Sequence, residues 1–293
     1  MRVRPFFSII IPVFNSSPTL PRLLESIVFQ HYRNYELVFV DGASTDDTLT
    51  QLADFVRLNH ELSVVIDSRP DKGIYDAMNR GVEKASGEWL YFIGGDDLFC
   101  DAGVLQSVKA AIETEKPDLI YGNVEGISSK TRYVYDSKAK VLAKGIHHQS
   151  VFYKRCIFDE LGKYDLSYAT AADYDFTLKV FFNEEYQIKY IDRDIACFGE
   201  DGFSASNFDY KFFSGHYRLL KRHKALDKLA DPAKCLTDSI YCCYYLAGRK
   251  NDNAIAWRNL LFYVSRVKRA SLAFRAATFL HMLKWTVKRP WMI

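Results

Sequence analysis

The most informative stretch of this chain is WLYFIGGDDLF, at residues 89–99. Five apolar residues run into two glycines and then into two adjacent aspartates, Asp96 and Asp97. The apolar run is typical of a strand buried in a sheet, and the glycines leave room for a ligand or backbone to approach closely. Two neighbouring carboxylates repel one another unless a positive charge lies beside them. The end of this strand is therefore a candidate ligand site.

Buried strands alternate with amphipathic helices over the first half of the chain. Strands are predicted at residues 6–13, 35–40, 62–66, 89–93 and 118–121. Between these runs, apolar residues recur at helical spacing, which predicts helices. The mixed polar stretch at 128–142 predicts a hairpin or loop. The alternation predicts an α/β fold with a mostly parallel sheet. Because ligands bind such sheets beyond the carboxyl ends of the strands, Asp41 and the Asp96–Asp97 pair can converge on one crevice.

The composition fits a globular protein and excludes several classes. The chain has 293 residues, of which 48% are hydrophobic, so it can bury a sizeable core. Its six cysteines show no C-x-x-C spacing, which gives no support to a zinc site and favours a reducing, cytosolic compartment. We find no signal-peptide cleavage site and no run of the roughly 18 apolar residues that a spanning helix needs.

The C-terminal segment is strongly basic. Residues 253–293 carry eight basic side chains and no acidic one: Arg258, Arg266, Lys268, Arg269, Arg275, Lys284, Lys288 and Arg289. Aromatic and aliphatic residues recur between them at rough helical spacing, which suits the headgroup region of an anionic membrane. The alternative is a helical subdomain that packs on the rest of the chain. We predict a domain at 1–210 and a helical, basic C-terminal extension at 211–293.

The aspartate pair has two interpretations from local sequence. Oxygen ligands suit a hard cation such as Mg²⁺ or Mn²⁺, which keeps waters and shares phosphate oxygens with a substrate. The pair would then belong to a metal–diphosphate site. Alternatively, Asp96 or Asp97 caps the N-terminus of a helix that begins after Phe99.

Six motifs in order carry a family resemblance. They are SIIIPVFN at 8–15, VDGASTDDT at 40–48, PDKGIYDAMNRG at 70–81, SGEWLYFIGGDD at 86–97, HHQSVFY at 147–153 and AADYDFTLKV at 171–180. Together they resemble the family-2 glycosyltransferases, and especially the bacterial subgroup of exopolysaccharide and O-antigen (colanic-acid-like) assembly. The resemblance implies the A-type nucleotide-diphospho-sugar transferase fold, a Rossmann-like α/β sandwich. It also implies an inverting enzyme that uses a nucleotide-diphospho-sugar.

The resemblance assigns the nucleotide pocket to the ends of the first two strands. Pro12, Phe14 and Asn15 would form its first wall, and Asp41 would contact the base. From local sequence alone, Asp41 and Gly42 favour a turn between two elements.

The resemblance assigns the diphosphate and the sugar to later motifs. Asp97 would bind the metal, and Asp96 would bind the ribose or the waters of the metal. His148 and Gln149 would line the site near the sugar or the diphosphate. A histidine with no other metal-type residue at hand is more often structural than a ligand, so His147 receives no role.

Asp173 falls where the family keeps its catalytic base. The family often has Glu-Asp here, whereas this chain has Ala172 before Asp173, so Asp175 is a second candidate. From local sequence, Asp173 is also a natural N-cap of the helix at 174–182.

Lys72 precedes a predicted helix start, where free N–H groups attract anions. It can add positive charge toward a diphosphate, or it can be a solvated surface residue. On the same helix, Asp76 and Arg80 are four residues apart and are expected to pair on one face.

We therefore predict a metal-dependent inverting glycosyltransferase that acts in surface polysaccharide synthesis. Its partners would be a nucleotide-sugar donor, a saccharide or lipid-linked saccharide acceptor and the anionic cytoplasmic face of the inner membrane. A nucleic-acid partner is disfavoured because no recognised nucleic-acid-binding motif is present. A nucleotidyltransferase would need a Gly-rich, Arg-containing loop where this chain has FNSSPTLP. The non-enzymatic alternative is a catalytically silent scaffold in a membrane assembly complex.

Overall fold

The computed structural model describes residues 4–138, 140–141 and 145–200, together with isolated positions at 202, 209, 212, 222, 276 and 280. The chain divides into two units, residues 1–141 with 145–207 and residues 142–144 with 208–293. Nearly all of the second unit lies outside the described residues. The predicted helical region at 211–293, its membrane contact and the boundary at 210 therefore stay predictions. All elements below belong to the first unit.

Nine strands of the described residues form one sheet. They are β1 (Phe7–Val13), β2 (Tyr35–Asp41), β3 (Ser63–Ser68), β4 (Trp89–Phe92), β5 (Leu98–Phe99), β6 (Leu119–Gly126), β7 (Arg132–Tyr133), β8 (Val151–Lys154) and β9 (Ile188–Phe198). Their order across the sheet is β3-β2-β1-β4-β8-β6-β9-β5, and β7 pairs with β6.

Six α-helices accompany the sheet in the described part of the chain. They are α1 (Leu20–Val28), α2 (Thr48–Leu58), α3 (Ile74–Lys84), α4 (Val104–Glu115), α5 (Cys156–Leu161) and α6 (Ala172–Phe182). No helix among the described residues is both long enough and apolar enough to cross a lipid bilayer.

The first half of the sheet is parallel, as the sequence predicts. Strands β3, β2, β1 and β4 run in one direction, with Ile9 aligned to Leu37 on one side and to Tyr91 on the other. All residues of β1, β2 and β4 are buried, which explains their continuous apolar runs. Parallel strands end at one edge, so the residues that follow β1, β2 and β4 are brought together there.

The second half of the sheet is mixed. Strand β8 is antiparallel to both β4 and β6, and β9 is parallel to β6 and antiparallel to β5. The β6–β7 hairpin agrees with the hairpin or loop predicted at 128–142. Strand β9 escapes sequence analysis because most of it is only partly buried and carries charged side chains at 189 and 192–194. It therefore shows no apolar run.

The expected pairing of Asp76 with Arg80 is wrong. The Arg80 guanidinium donates instead to Oδ2 of Asp67 at 3.0 Å. Oδ2 of Asp76 accepts from the backbone N–H of Lys72 at 3.0 Å. The buried Arg80 thus ties α3 to the end of β3.

Candidate active site

Asp97 is held in the turn between β4 and β5 by three donors. Its Oδ2 accepts hydrogen bonds from the backbone N–H of Gly94 at 2.7 Å and from Nε2 of Gln149 at 2.9 Å. Its Oδ1 accepts from the backbone N–H of Gly199 at 2.9 Å. The carboxylate is 1% exposed, so its orientation is fixed. The helix-cap interpretation of the aspartate pair is wrong, because β5 follows and α4 is preceded by Gly103.

The two adjacent aspartates lie in surroundings that disfavour their negative charge. Burial, and then the charge of Asp96, raise the pKa of Asp97 to about 6, although His148 opposes the shift. Burial also raises the pKa of Asp96. Oδ2 of Asp96 lies so close to Gly199 that a Cβ there would collide with it. The pair is therefore packed tightly against the end of β9 and favours a positive charge nearby.

The donor set fits a divalent cation that a substrate helps to hold. Two adjacent carboxylates with phosphate oxygens and water are a usual environment of Mg²⁺ in nucleotide sites. Oε1 of Gln149 and Nε2 of His148 are buried and find no hydrogen-bond partner among the described residues. In that part of the chain, no three His, Cys, Asp or Glu side chains are grouped so as to hold a metal by themselves. The diphosphate of a substrate would complete the coordination.

His148 lies between the aspartate pair and Asp173. Its Nδ1 is 3.4 Å from Oδ2 of Asp173, and both side chains are only 16% exposed. Burial lowers the pKa of His148, but the hydrogen bond and charge of Asp173 and the charges of the aspartate pair raise it above the ordinary value. The imidazole is therefore favoured in its protonated form, as a positive charge between two groups of carboxylates.

Asp173 is fixed from its other side by Tyr75. The Tyr75 hydroxyl donates to Oδ1 of Asp173 at 2.7 Å, which joins the start of α3 to the start of α6. Asp173 is not the N-cap of α6, because Ala171 holds that position. Asp175 is 3% exposed and forms an ion pair with Lys179 at 2.8 Å. Of these two carboxylates on α6, Asp173 is the one that contacts His148.

The predicted nucleotide wall lies at the carboxyl ends of β1 and β2. Pro12 is buried within β1, whereas Phe14 is 63% exposed and reaches to within contact distance of Gly42. Asn15 has a positive φ of 48°, and its side chain accepts from the backbone N–H of Thr45 at 2.9 Å. An exposed ring beside a glycine offers a flat surface at the edge where a base would lie.

Asp41 is fully buried. Its carboxylate accepts from the hydroxyl of Ser44 at 2.5 Å and from that of Ser68 at 2.6 Å. The side chain therefore holds the loop after β2 against the end of β3. The prediction that it contacts a base stays a prediction.

Some backbone N–H groups at the start of α3 are hydrogen-bonded to side chains of the chain itself. The backbone N–H of Gly73 donates to Oδ1 of Asp71 at 2.8 Å, and that of Lys72 donates to Asp76. Lys72 is exposed, so both interpretations of its side chain stand.

Sequence reasoning missed two functional candidates. Tyr75 lies inside the motif at 70–81, but nothing in its spacing indicates a contact with Asp173, 98 residues away. Gly199 follows an unpredicted strand and donates to Asp97. Only the fold brings these residues to the site.

The fold and site define the class of protein. A parallel half-sheet that ends in an aspartate pair, joined to a mixed half-sheet, is the A-type nucleotide-sugar transferase fold, as predicted. *Staphylococcus aureus* TarS 1-349 in complex with UDP-GlcNAc is similar, with a TM-score of 0.69 and 18% identity over 94% of this chain and 88% of TarS 1-349. The mannosyltransferase PcManGT of *Pyrobaculum calidifontis*, in complex with GDP-Man and Mn²⁺, has a TM-score of 0.59 and 17% identity over 99% of this chain and 88% of its own.

Residues 8–253 match the profile of "Glycosyl transferase family 2", and the chain belongs to this family. A PGL/p-HBAD biosynthesis glycosyltransferase of *Mycobacterium tuberculosis* is 41% identical over 201 residues, which cover 68% of this chain and 78% of the relative. The predicted family and the prediction of a glycosyltransferase are thereby confirmed.

Proposed function

We propose that this protein is an inverting glycosyltransferase that moves a sugar from a nucleotide-diphospho-sugar to an acceptor hydroxyl, with Mg²⁺ or Mn²⁺. The observation that carries the proposal is the arrangement of Asp97, His148 and Asp173. His148 contacts Asp173, a carboxylate suited to proton transfer, and it also interacts with the buried Asp97 carboxylate, which is suited to a cation. In a displacement at the anomeric carbon, one carboxylate would thus act on the leaving group and the other on the attacking hydroxyl.

The donor would lie along the carboxyl ends of β1, β2 and β4. Phe14 would stack on the base, beside Asn15 and Pro12, while Asp41 keeps the loop after β2 in place. The fold neighbours that hold UDP-GlcNAc and GDP-Man support a nucleotide-sugar in this position. Lys72, exposed at the start of α3, would add positive charge toward the diphosphate.

The leaving group would be handled at the aspartate pair. A bound divalent cation neutralises the charge that builds on the departing diphosphate. Asp97 and Asp96 would hold it, and Gln149 keeps the Asp97 carboxylate in orientation through their hydrogen bond. Tyr91 supports Gln149 in turn, because its hydroxyl donates to the Gln149 carbonyl at 2.9 Å. The free Nε2 of His148 is placed to donate to a phosphate oxygen.

The acceptor would be activated by Asp173. Inversion requires attack from the face opposite the leaving group, so the base must lie on a different element from the aspartate pair. Asp173, on α6, meets this condition. Tyr75 and His148 each hold one of its oxygens, so that the carboxylate presents a fixed edge to an incoming hydroxyl.

The acceptor would be a saccharide or a lipid-linked saccharide of the cell envelope. The support is the relative named for PGL/p-HBAD biosynthesis, together with the basic, aromatic segment at 253–293. The enzyme would then work at the cytoplasmic face of the inner membrane, with this segment on anionic lipid, in the assembly of a surface polysaccharide or glycolipid.

Calorimetry with UDP, GDP, CDP and dTDP, with and without Mn²⁺, tests the proposal. We expect one nucleotide to bind in a metal-dependent manner, and Asp97→Ala to abolish that binding. Asp173→Asn is the matched control, since it should bind the nucleotide like the wild type but fail to transfer sugar. Binding of no nucleotide would overturn the proposal and favour a silent scaffold.

A further inference from the structure

Four aromatic rings form a cluster on the mixed half of the sheet. Tyr133, Tyr135, His147 and Phe198 make up this aromatic cluster. The His147 ring centroid lies 4.4 Å from that of Phe198 and 4.9 Å from that of Tyr133, and the Tyr133 and Phe198 rings are 5.5 Å apart. The Tyr135 hydroxyl contacts Nδ1 of His147. The cluster belongs to β7, β9 and the segment before β8, whereas Phe14 follows β1.

The aromatic cluster adjoins both groups of carboxylates. Phe198 immediately precedes Gly199, whose N–H donates to Asp97. His147 immediately precedes His148, which contacts Asp173. Phe198 and His147 are therefore each adjacent in sequence to a residue that touches the proposed metal ligand or the proposed base, so the cluster neighbours, along the chain, residues that touch both of these groups.

The β6–β7 hairpin is clasped to the end of β9. The backbone N–H groups of Ser128 and Ser129 donate to Oε2 of Glu200 at 2.8 and 2.7 Å, and that of Ile127 donates to the carbonyl of Phe198 at 3.0 Å. The rings on the two strands are thus held at a fixed distance from one another and from Gly199. A pre-organised surface of this kind loses little entropy on binding.

One face of the aromatic cluster is open to solvent, and charged groups border it. Tyr133 is 38% exposed, while Tyr135 is buried. Burial, and then the charge of His148, lower the pKa of His147 to about 4, so its ring is neutral and packs as an aromatic. Beside Tyr133, Arg132 pairs with Asp192 and Asp194, and all three side chains are partly exposed.

We propose that the aromatic cluster is the acceptor subsite and that Tyr133 stacks on the C–H face of a sugar ring in the acceptor. A small exposed ring bordered by hydrogen-bonding groups matches a pyranose, which has an apolar face and a rim of hydroxyls. A lipid chain would require a wider apolar surface than this one ring provides. This inference rests on the proposed function and names the class of group that its acceptor presents.

Saturation-transfer NMR tests the inference on the full chain. The probes are the methyl glycosides of glucose, galactose, mannose, rhamnose and N-acetylglucosamine, which contain no aryl or lipid group. They are titrated in the presence of diamagnetic Mg²⁺ and of each of the four nucleoside diphosphates. We expect at least one glycoside to bind, with saturation strongest at its ring C–H protons, and Tyr133→Ala to weaken its binding about three- to tenfold.

Two further variants separate stacking from other effects. Tyr133→Phe keeps the ring and should bind the glycoside nearly as well as the wild type. Phe29→Ala removes another exposed ring, 62% exposed, at the end of α1 away from the carboxyl edge of the sheet, and should change nothing.

Three results would overturn the inference. The first is equal glycoside binding by Tyr133→Ala and the wild type, and the second is a loss in Tyr133→Phe as large as that in Tyr133→Ala. The third is a wild type that binds a nucleotide but no methyl glycoside. Calorimetry on the same samples separates the two proposals, because a wild type that binds no nucleotide refutes the proposed function as well.

Discussion

The hydroxyl of Tyr75 lies 2.7 Å from Oδ1 of Asp173 and donates a hydrogen bond to it. This bond stabilises the ionised carboxylate and fixes its direction. Tyr75→Phe should therefore lower kcat about tenfold, the usual scale for a hydrogen bond to a charged group. Steady-state kinetics measures this effect.

Tyr164→Phe is the matched control for this prediction. Its ring lies 5.5 Å from that of Tyr75, and its buried hydroxyl finds no partner among the described residues. Removing that hydroxyl should leave kcat near that of the wild type. An equal loss of kcat in both variants would show that kcat responds to packing and not to the bond with Asp173.

The two carboxylates of α6 should respond differently to neutralisation. Asp173→Asn should lower turnover about 10²- to 10⁴-fold, the range for a general base. Asp175→Asn leaves Lys179 without its buried partner, so it should lower the melting temperature while kcat stays near that of the wild type. Thermal melting and kinetics on both variants check this. The opposite pattern would make Asp175 the base.

The buried Asp97 makes the metal-free protein sensitive to pH. Its pKa is raised in the folded state to about 6, from 3.8. An acid with a raised pKa favours folding when protonated, so its contribution to stability is lost as pH rises from about 4 to about 6. The melting temperature of wild type minus that of Asp97→Asn, measured in EDTA, should fall across this window.

A difference that is constant between pH 4 and 7 would contradict this prediction. Adding Mn²⁺ with the nucleotide that binds should restore the wild type above pH 6 and leave Asp97→Asn unchanged, because only the carboxylate gains a partner. The informative result is how the difference in melting temperature changes with pH. A constant difference can also arise from the altered hydrogen bonds of the amide in Asp97→Asn.

Gly199 is expected to tolerate no side chain. A Cβ at this position would collide with Oδ2 of Asp96, so Gly199→Ala should displace that carboxylate. We expect Mn²⁺-dependent nucleotide affinity to fall about tenfold or more, a usual effect of disturbing groups that orient ligands. Calorimetry measures it. Gly103→Ala is the control, because a Cβ there meets its nearest atoms at 3.3 Å, and unchanged affinity in Gly199→Ala would refute the argument.

Sequence predicts the parallel half of this fold well because β1, β2 and β4 are buried along their whole length and read as apolar runs. It fails for β9, whose side chains are partly exposed and charged, and therefore for Gly199 at its end. The resemblance brought Asp97, His148 and Asp173 into consideration. The hydrogen bond between Tyr75 and Asp173 could not be predicted from the sequence, because a contact between two helix starts depends on how the whole sheet is assembled.

The clasp between Glu200 and the β6–β7 hairpin has a consequence for how such a protein can diversify. Two backbone N–H groups of the hairpin turn, at Ser128 and Ser129, donate to Glu200, and almost any residue supplies such donors. Residues on the hairpin can then be exchanged without disturbing the β1, β2 and β4 ends that would hold the nucleotide. Under the proposed acceptor subsite, changes confined to this hairpin would alter the range of acceptors while the donor site is inherited unchanged.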